Sequence, residues 1–138
     1  MAITDNLRKQ HKEISETVKQ ISVLLKPDIL LQDAEQAGIL LSKFTENLEI
    51  HLTWEDEALY PALQRHPKEE VRILTKVFSE EMGGISKAVA RYAANWPNAE
   101  SIKKNPDGFI NESHEIFAAL SSRINQENNH LYPLLEAK

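Results

Sequence analysis

The chain of 138 residues contains no cysteine. Disulfides, zinc–thiolate sites and thiol catalysis are therefore excluded. It also lacks any apolar run near the roughly 20 residues that a membrane-spanning helix needs. Met1-Ala2-Ile3-Thr4-Asp5-Asn6 carries no apolar signal region. Basic excess is missing too. The net charge is −5, and Lys and Arg are scattered among Asp and Glu, without the basic stripe that a nucleic-acid surface requires. These absences predict a cytoplasmic protein with neither nucleic acid nor membrane as partner. What remains is an ordinary globular composition, 41% apolar and 27% charged. It suffices for one domain over residues 1–138 with a real core.

Apolar residues recur at helical spacing in four stretches. The first stripe is Ile3, Leu7, His11, Ile14, Val18, Ile21 and Leu25, on a helix capped by Thr4 or Asp5 and ending near Lys26, before Pro27. A second helix starts near Asp28 or Asp33 and runs to about Arg65 with Pro61 kinking its last turn. Its stripe is Ala37, Leu41, Phe44, Leu48, His51, Glu55, Ala58 and Ala62. A third spans about Lys68 to Asn95, with Val71, Leu74, Phe78, Met82, Ile85, Val89, Tyr92 and Trp96 inward. Gly83-Gly84 falls in its middle, where each glycine costs about 1 kcal/mol relative to alanine, so tight helix packing is expected there. After a weak turn over Ala99 to Lys104, a fourth helix runs from about Phe109 to Glu136, kinked near Pro133. It carries Ile110, Ser113, Phe117, Leu120, Ile124, Glu127, Leu131 and Leu134 inward. Four amphipathic helices with short connections predict an all-α, up-down-up-down four-helix bundle.

Three of these stripes are interrupted by groups that do not belong in a core: His11, His51 with Glu55, and Glu127. His51 and Glu55 are four residues apart and share a helix face. Burying an unpaired polar group costs on the order of 2–7 kcal/mol, and a charge costs more, so something must compensate. His11 lies near the start of the first helix, His51 and Glu55 near the end of the second, and Glu127 near the end of the fourth. In an antiparallel bundle these places share one level, and the four converge.

An internal repeat sharpens this. Glu55-x-x-x-Leu59-Tyr60-Pro61-x-Leu63 recurs as Glu127-x-x-x-Leu131-Tyr132-Pro133-x-Leu135, at an offset of 72 residues. Leu7-x-x-x-His11-x-x-Ile14 aligns with Phe78-x-x-x-Met82-x-x-Ile85 at an offset of 71. The second-half equivalents of His11, His51 and Glu55 are thus Met82, Arg123 and Glu127. Both carboxylates survive, and both histidines are replaced.

These residues resemble the hemerythrin-like family, the HHE cation-binding domain, over nearly the whole chain. His51-x-x-x-Glu55-Asp56-x-x-Leu59-Tyr60-Pro61 is similar to that family's second-helix signature, His11 to its first-helix ligand and Glu127 to its fourth-helix carboxylate. The resemblance implies a four-helix bundle holding a non-haem di-iron centre bridged by two carboxylates. The departures fall together. Met82 and Ser86 stand where the third helix usually carries histidines, and Arg123 stands where the fourth carries one. A symmetric di-iron centre is therefore not expected. One alternative is a single divalent ion on His11, His51, Glu55 and Glu127, iron by preference, with manganese or zinc also suited to such donors. The other is a metal-free site in which Arg123 and a protonated histidine satisfy the carboxylates. Arg123 has a plainer alternative as a snorkelling edge residue, since Ile124 competes for the core direction.

Other residues carry weaker signals. Glu81 could add a carboxylate if the third helix is rotated. Met82 could be a soft axial ligand, although core packing is its commoner role. Glu127-x-x-His130 makes His130 a reserve ligand, whereas His114 lies some 20 Å along the helix and His66 marks a helix end. Tyr60 and Tyr132 are expected to pack the bundle end. Trp54 is expected to wall the site or cover the first helix. Functionally, the resemblance implies sensing, storage or binding of metal, oxygen or nitric oxide. An enzyme is the less expected class, since no cofactor motif or separate acid–base pair is present. A metal-free scaffold for protein interaction is the remaining alternative.

Overall fold

The structure, a computed structural model, describes residues 2–136. In chain order its elements are α1 (Ala2–Ser22), α2 (Pro27–Trp54), a π-helical turn (Glu55–Leu59), α3 (Tyr60–Gln64), α4 (Glu69–Asn95), α5 (Ala99–Lys104), α6 (Pro106–Gln126), a second π-helical turn (Glu127–Leu131) and α7 (Tyr132–Glu136). No strand occurs among the described residues. The first π-turn joins α2 to α3 without a break, and the second joins α6 to α7, so the chain forms four long rods in a helical bundle. α1 packs along α2, α4 along α6, and α5 closes against α2.

Local chemistry explains the ends. α1 stops at Ser22, short of the expected Lys26, and Pro27 opens α2 from an extended Lys26. Asp33 is a kink inside α2, with φ −113° and ψ 26°, and not its start. The predicted weak turn is a true helix, α5. Asn98 and Ser101 cap it reciprocally, and Ile102 anchors it in the core. α6 begins at Pro106, ahead of Phe109, with the Asn105 side chain accepting from the Gly108 N–H at 3.0 Å.

A π-turn precedes each of the prolines expected to kink the second and fourth rods. A proline has no N–H for the carbonyl four residues back, and its ring crowds that carbonyl. One inserted residue relieves both. The ladder passes from four-residue to five-residue spacing, and the Tyr60 and Tyr132 N–H groups bond to the Glu55 and Glu127 carbonyls. The extra residue also rotates the inward face. Leu59, Tyr60 and Leu63 are buried, whereas Ala58 and Ala62, expected inside, are only partly covered.

The core has two apolar parts. The larger includes Ile14, Phe44, Leu48, Val89 and Ile124. The smaller, at the π-turn end, includes Leu7, Leu59, Phe78, Leu131 and Tyr132. Between Leu7 and Ile14 lies His11, between Leu48 and Leu59 lie His51 and Glu55, and between Ile124 and Leu131 lies Glu127. The polar residues thus form one layer separating the two apolar clusters.

Gly83-Gly84 departs from expectation. A Cβ built at either glycine meets nothing within 4 Å, so neither residue serves close helix packing. No helix among the described residues is long and apolar enough to cross a membrane.

Candidate metal centre

Four rod positions deliver four side chains to one point. One ligand atom each from His11, His51, Glu55 and Glu127 lies within 4.8 Å of the others, and all four residues are buried. His11 Nε2 is 3.0 Å from Glu127 Oε1 and 3.0 Å from His51 Nε2. His51 Nε2 is 3.0 Å from Glu55 Oε2 and 3.7 Å from Glu127 Oε1. None of the four is more than 2% exposed.

The rear of each imidazole is held. His11 Nδ1 is 2.8 Å from Asn128 Oδ1, and His51 Nδ1 is 2.9 Å from Gln10 Oε1. An amide oxygen only accepts, so each Nδ1 donates, and in the neutral ring each Nε2 lone pair turns to the shared centre. Two lone pairs and two carboxylates facing one another without a cation would be costly. Either a proton or a metal ion must lie among them. The two-nitrogen, two-oxygen donor set suits a first-row divalent ion, and histidines anchored through the far nitrogen are typical of such ligands.

Two phenols complete the layer. The Tyr132 hydroxyl donates to Glu55 Oε2 at 2.9 Å and lies 3.1 Å from His11 Nε2. Tyr60 donates to Glu55 Oε1 at 3.2 Å. Burial and the carboxylate charges push both phenols upward, so both stay protonated. Burial draws the His51 imidazole down, but hydrogen bonds to Glu127 and Glu55 and their charges outweigh it and lift it to about 9. Burial also pushes Glu55 up, against its His51 bond and with the Glu127 charge, to about 7. For Glu127 burial acts in the same sense, yet hydrogen bonds from His11, His51 and Glu55 overcome it and hold it at about 2. Without metal, the layer keeps a proton on His51 at neutral pH.

Of the second-half candidates, Glu127 joins this cluster, whereas Arg123 and Glu81 pair with each other outside it. Met82 is buried in α4 between the apolar clusters. Arg123 and Ile124 are both buried, which resolves their competition for the core. The Arg123 guanidinium stacks 4.7 Å from the Phe78 ring centroid and puts Nη1 3.1 Å from Glu81 Oε1. Among the described residues it makes no ion pair with Glu55 or Glu127. Neutralisation of the paired carboxylates by Arg123, one of the expectations, is absent, and Glu81 is its partner instead. Glu127 Oε2 is buried without a hydrogen-bond partner, and Arg123 Nη1 meets Glu81 by charge at 3.1 Å without the alignment of a hydrogen bond. His130 and His114 are exposed. Trp54, 38% exposed, belongs to neither apolar cluster. Of the supporting residues, Gln10 and Asn128 gave no signal beyond adjacency to His11 and Glu127. Tyr60 and Tyr132 had one, since the doubled Tyr-Pro follows each glutamate at the same distance.

A helical bundle with a buried layer of two histidines and two carboxylates defines a cation-binding class of protein. The family model of the hemerythrin HHE cation binding domain matches residues 2–135, and the chain belongs to that family. Comparison with curated proteins and with solved structures gave no significant match.

Proposed function

We propose that this chain binds a single non-haem iron ion through His11, His51, Glu55 and Glu127, and acts in sensing, storing or binding metal or a diatomic gas such as oxygen or nitric oxide. The observation that carries this reading is the convergence of four buried ligand atoms within 4.8 Å. The absence of histidine at Met82 and Arg123 supports one ion per chain in place of two. When bound, iron would supply a Lewis-acidic, redox-active centre with affinity for such gases. The residues of the chain do the rest. Asn128 and Gln10 fix the two imidazoles, Tyr132 and Tyr60 hold Glu55, and apolar clusters flank the layer on either side. A single domain in the cytoplasm, without nucleic acid or membrane as partner, fits this reading.

The test is elemental analysis of protein purified without chelator or metal-affinity tag, beside His51→Ala. Metal in the parent and none in the variant supports the reading.

One observation favours a second reading, a metal-free scaffold for protein interaction. The His51–Glu55 side of the layer is closed internally at 3.0 Å when His51 carries a proton, and Arg123 pairs with Glu81. On that reading metal content stays near zero even after anaerobic loading with iron.

A further inference from the structure

One surface cavity reaches the polar layer. It has a volume of about 490 Å³, runs along the groove between α1 and the α6 rod, and takes His11 and Asn128 into its wall. Its size falls among those of small-molecule sites. The α1 side presents Arg8, Lys12, Ser15 and Lys19, at steps of four, three and four, which is one helix face. In a chain of net charge −5, this face holds three cations against Glu16.

The cations have separate roles. Arg8 is a fixed wall. Its guanidinium grips both oxygens of Glu136, at 2.9 and 2.8 Å, and donates to the Asn128 carbonyl at 3.1 Å. Lys12 and Lys19 have no carboxylate within ion-pairing distance among the described residues. They are roughly 10 Å apart along the helix axis. Two unpaired cations at that spacing, over a cavity whose opposite wall includes Asn125 and Asn128, match a ligand carrying several separated negative charges. A compact phosphate would engage one of them.

We propose that this groove is a binding site for a small polycarboxylate, seated against Lys12 and Lys19 with Asn128 at its inner end. Asn128 also holds His11 Nδ1 at 2.8 Å, so the occupant lies one residue from the metal layer. Polycarboxylates keep ferric ions soluble, so such a ligand is a suitable form for delivering or withdrawing an ion. That role rests on the metal reading above; the anion site itself does not.

The experiment is done on metal-free protein, which separates the two. Amide and imidazole resonances are followed by NMR during titration with tricarballylate, a tricarboxylate lacking citrate's chelating hydroxyl, and separately with inorganic phosphate. Saturable shifts are expected over residues 8–19 and 124–128 and at the His11 ring, with tricarballylate binding about tenfold or more tighter than phosphate. Lys12→Glu/Lys19→Glu should weaken it by a further factor of about ten or more, whereas Lys103→Glu/Lys104→Glu, the same charge change on α5, should leave it intact. Equal weakening by both double variants, shifts that never saturate, or phosphate binding as tightly would overturn the proposal. A positive titration on a chain that binds no metal would leave the anion site standing and remove its link to iron.

Discussion

Glu55 and Glu127 occupy one place in two halves of the chain. Each opens a π-helical turn, each is fully buried, and each is followed by the same Leu-Tyr-Pro. Their surroundings differ. Both Glu55 oxygens are satisfied, by Tyr60 on one side and by Tyr132 and His51 on the other. Only Oε1 of Glu127 is satisfied, while Oε2 has no partner. The residue one turn earlier is His51 in the first half, aimed into the layer, and Arg123 in the second, stacked on Phe78 and paired with Glu81. The backbone device and its glutamate are thus retained in both halves, and the histidines in one. The π-turn goes with the glutamate and the Tyr-Pro, which both halves keep, and not with the imidazole ligands, which only the first half has.

Restoring or removing ligands should break this comparison with the largest effect. His51→Ala removes a nitrogen donor and exposes the charge of Glu55, and metal affinity should fall by about 100-fold or more, as read by competition with a chelator of known affinity. The reciprocal variant, Met82→His/Arg123→His, gives the second half nitrogens beside the unpartnered Glu127 oxygen. It should take up more metal per chain than the parent. An unchanged ratio would mean that Glu127 Oε2 does not face a usable second position.

Protonation sharpens the comparison next. In the metal-free protein His51 is raised from 6.5 to about 9 and Glu55 from 4.5 to about 7. Folded values above the unfolded ones mean that the fold takes up protons. That stability is complete below the unfolded values and drains as pH rises, through Glu55 between 4.5 and about 7 and through His51 between 6.5 and about 9. Glu127, lowered from 4.5 to about 2, contributes above 4.5 and loses its contribution as pH falls toward 2. The metal-free protein should therefore lose on the order of a few kcal/mol between pH 5 and 9. A bound ion competes with the same protons, so the stabilisation it adds should grow over that range. Thermal unfolding at pH 5, 7 and 9, with and without metal, reads both trends, and parallel curves would contradict the shared site.

Asn128→Ala and Gln10→Ala come third. Each frees the far nitrogen of one imidazole and should weaken metal binding about 10- to 100-fold while the fold persists. Equal metal affinity in parent and variants would show that the two amides do not position the rings. The smallest effect is on α4. Gly83→Ala and Gly84→Ala should each stabilise the chain by about 0.5–1 kcal/mol in denaturant unfolding, because the added methyl groups meet nothing within 4 Å.

The helices were legible because their stripes hold the 3.6-residue period over several turns. The four-residue layer was legible because His11, His51, Glu55 and Glu127 stand where that period demands apolar residues, and because an antiparallel bundle brings their places to one level. Phase was lost at the π-turns. One inserted residue moves Leu59 and Tyr60 inward in place of Ala58, and period counting assumes that no residue is inserted. The direction of Arg123 was illegible for another reason: its choice between Glu81 and Glu127 depends on how α4 sits against α6, which no local pattern states. Gly83-Gly84 suggested a close approach that is absent, since glycine records permission and not contact.

The most direct measurement is the ratio of metal to protein, by elemental analysis, for the parent chain and for Met82→His/Arg123→His after identical anaerobic loading with iron. The half-site account predicts about one ion per parent chain and a higher value in the variant. A parent value near two would mean that the second half binds without nitrogen ligands. A value near zero in both would mean that the layer is closed by its own protons, and would contradict the account.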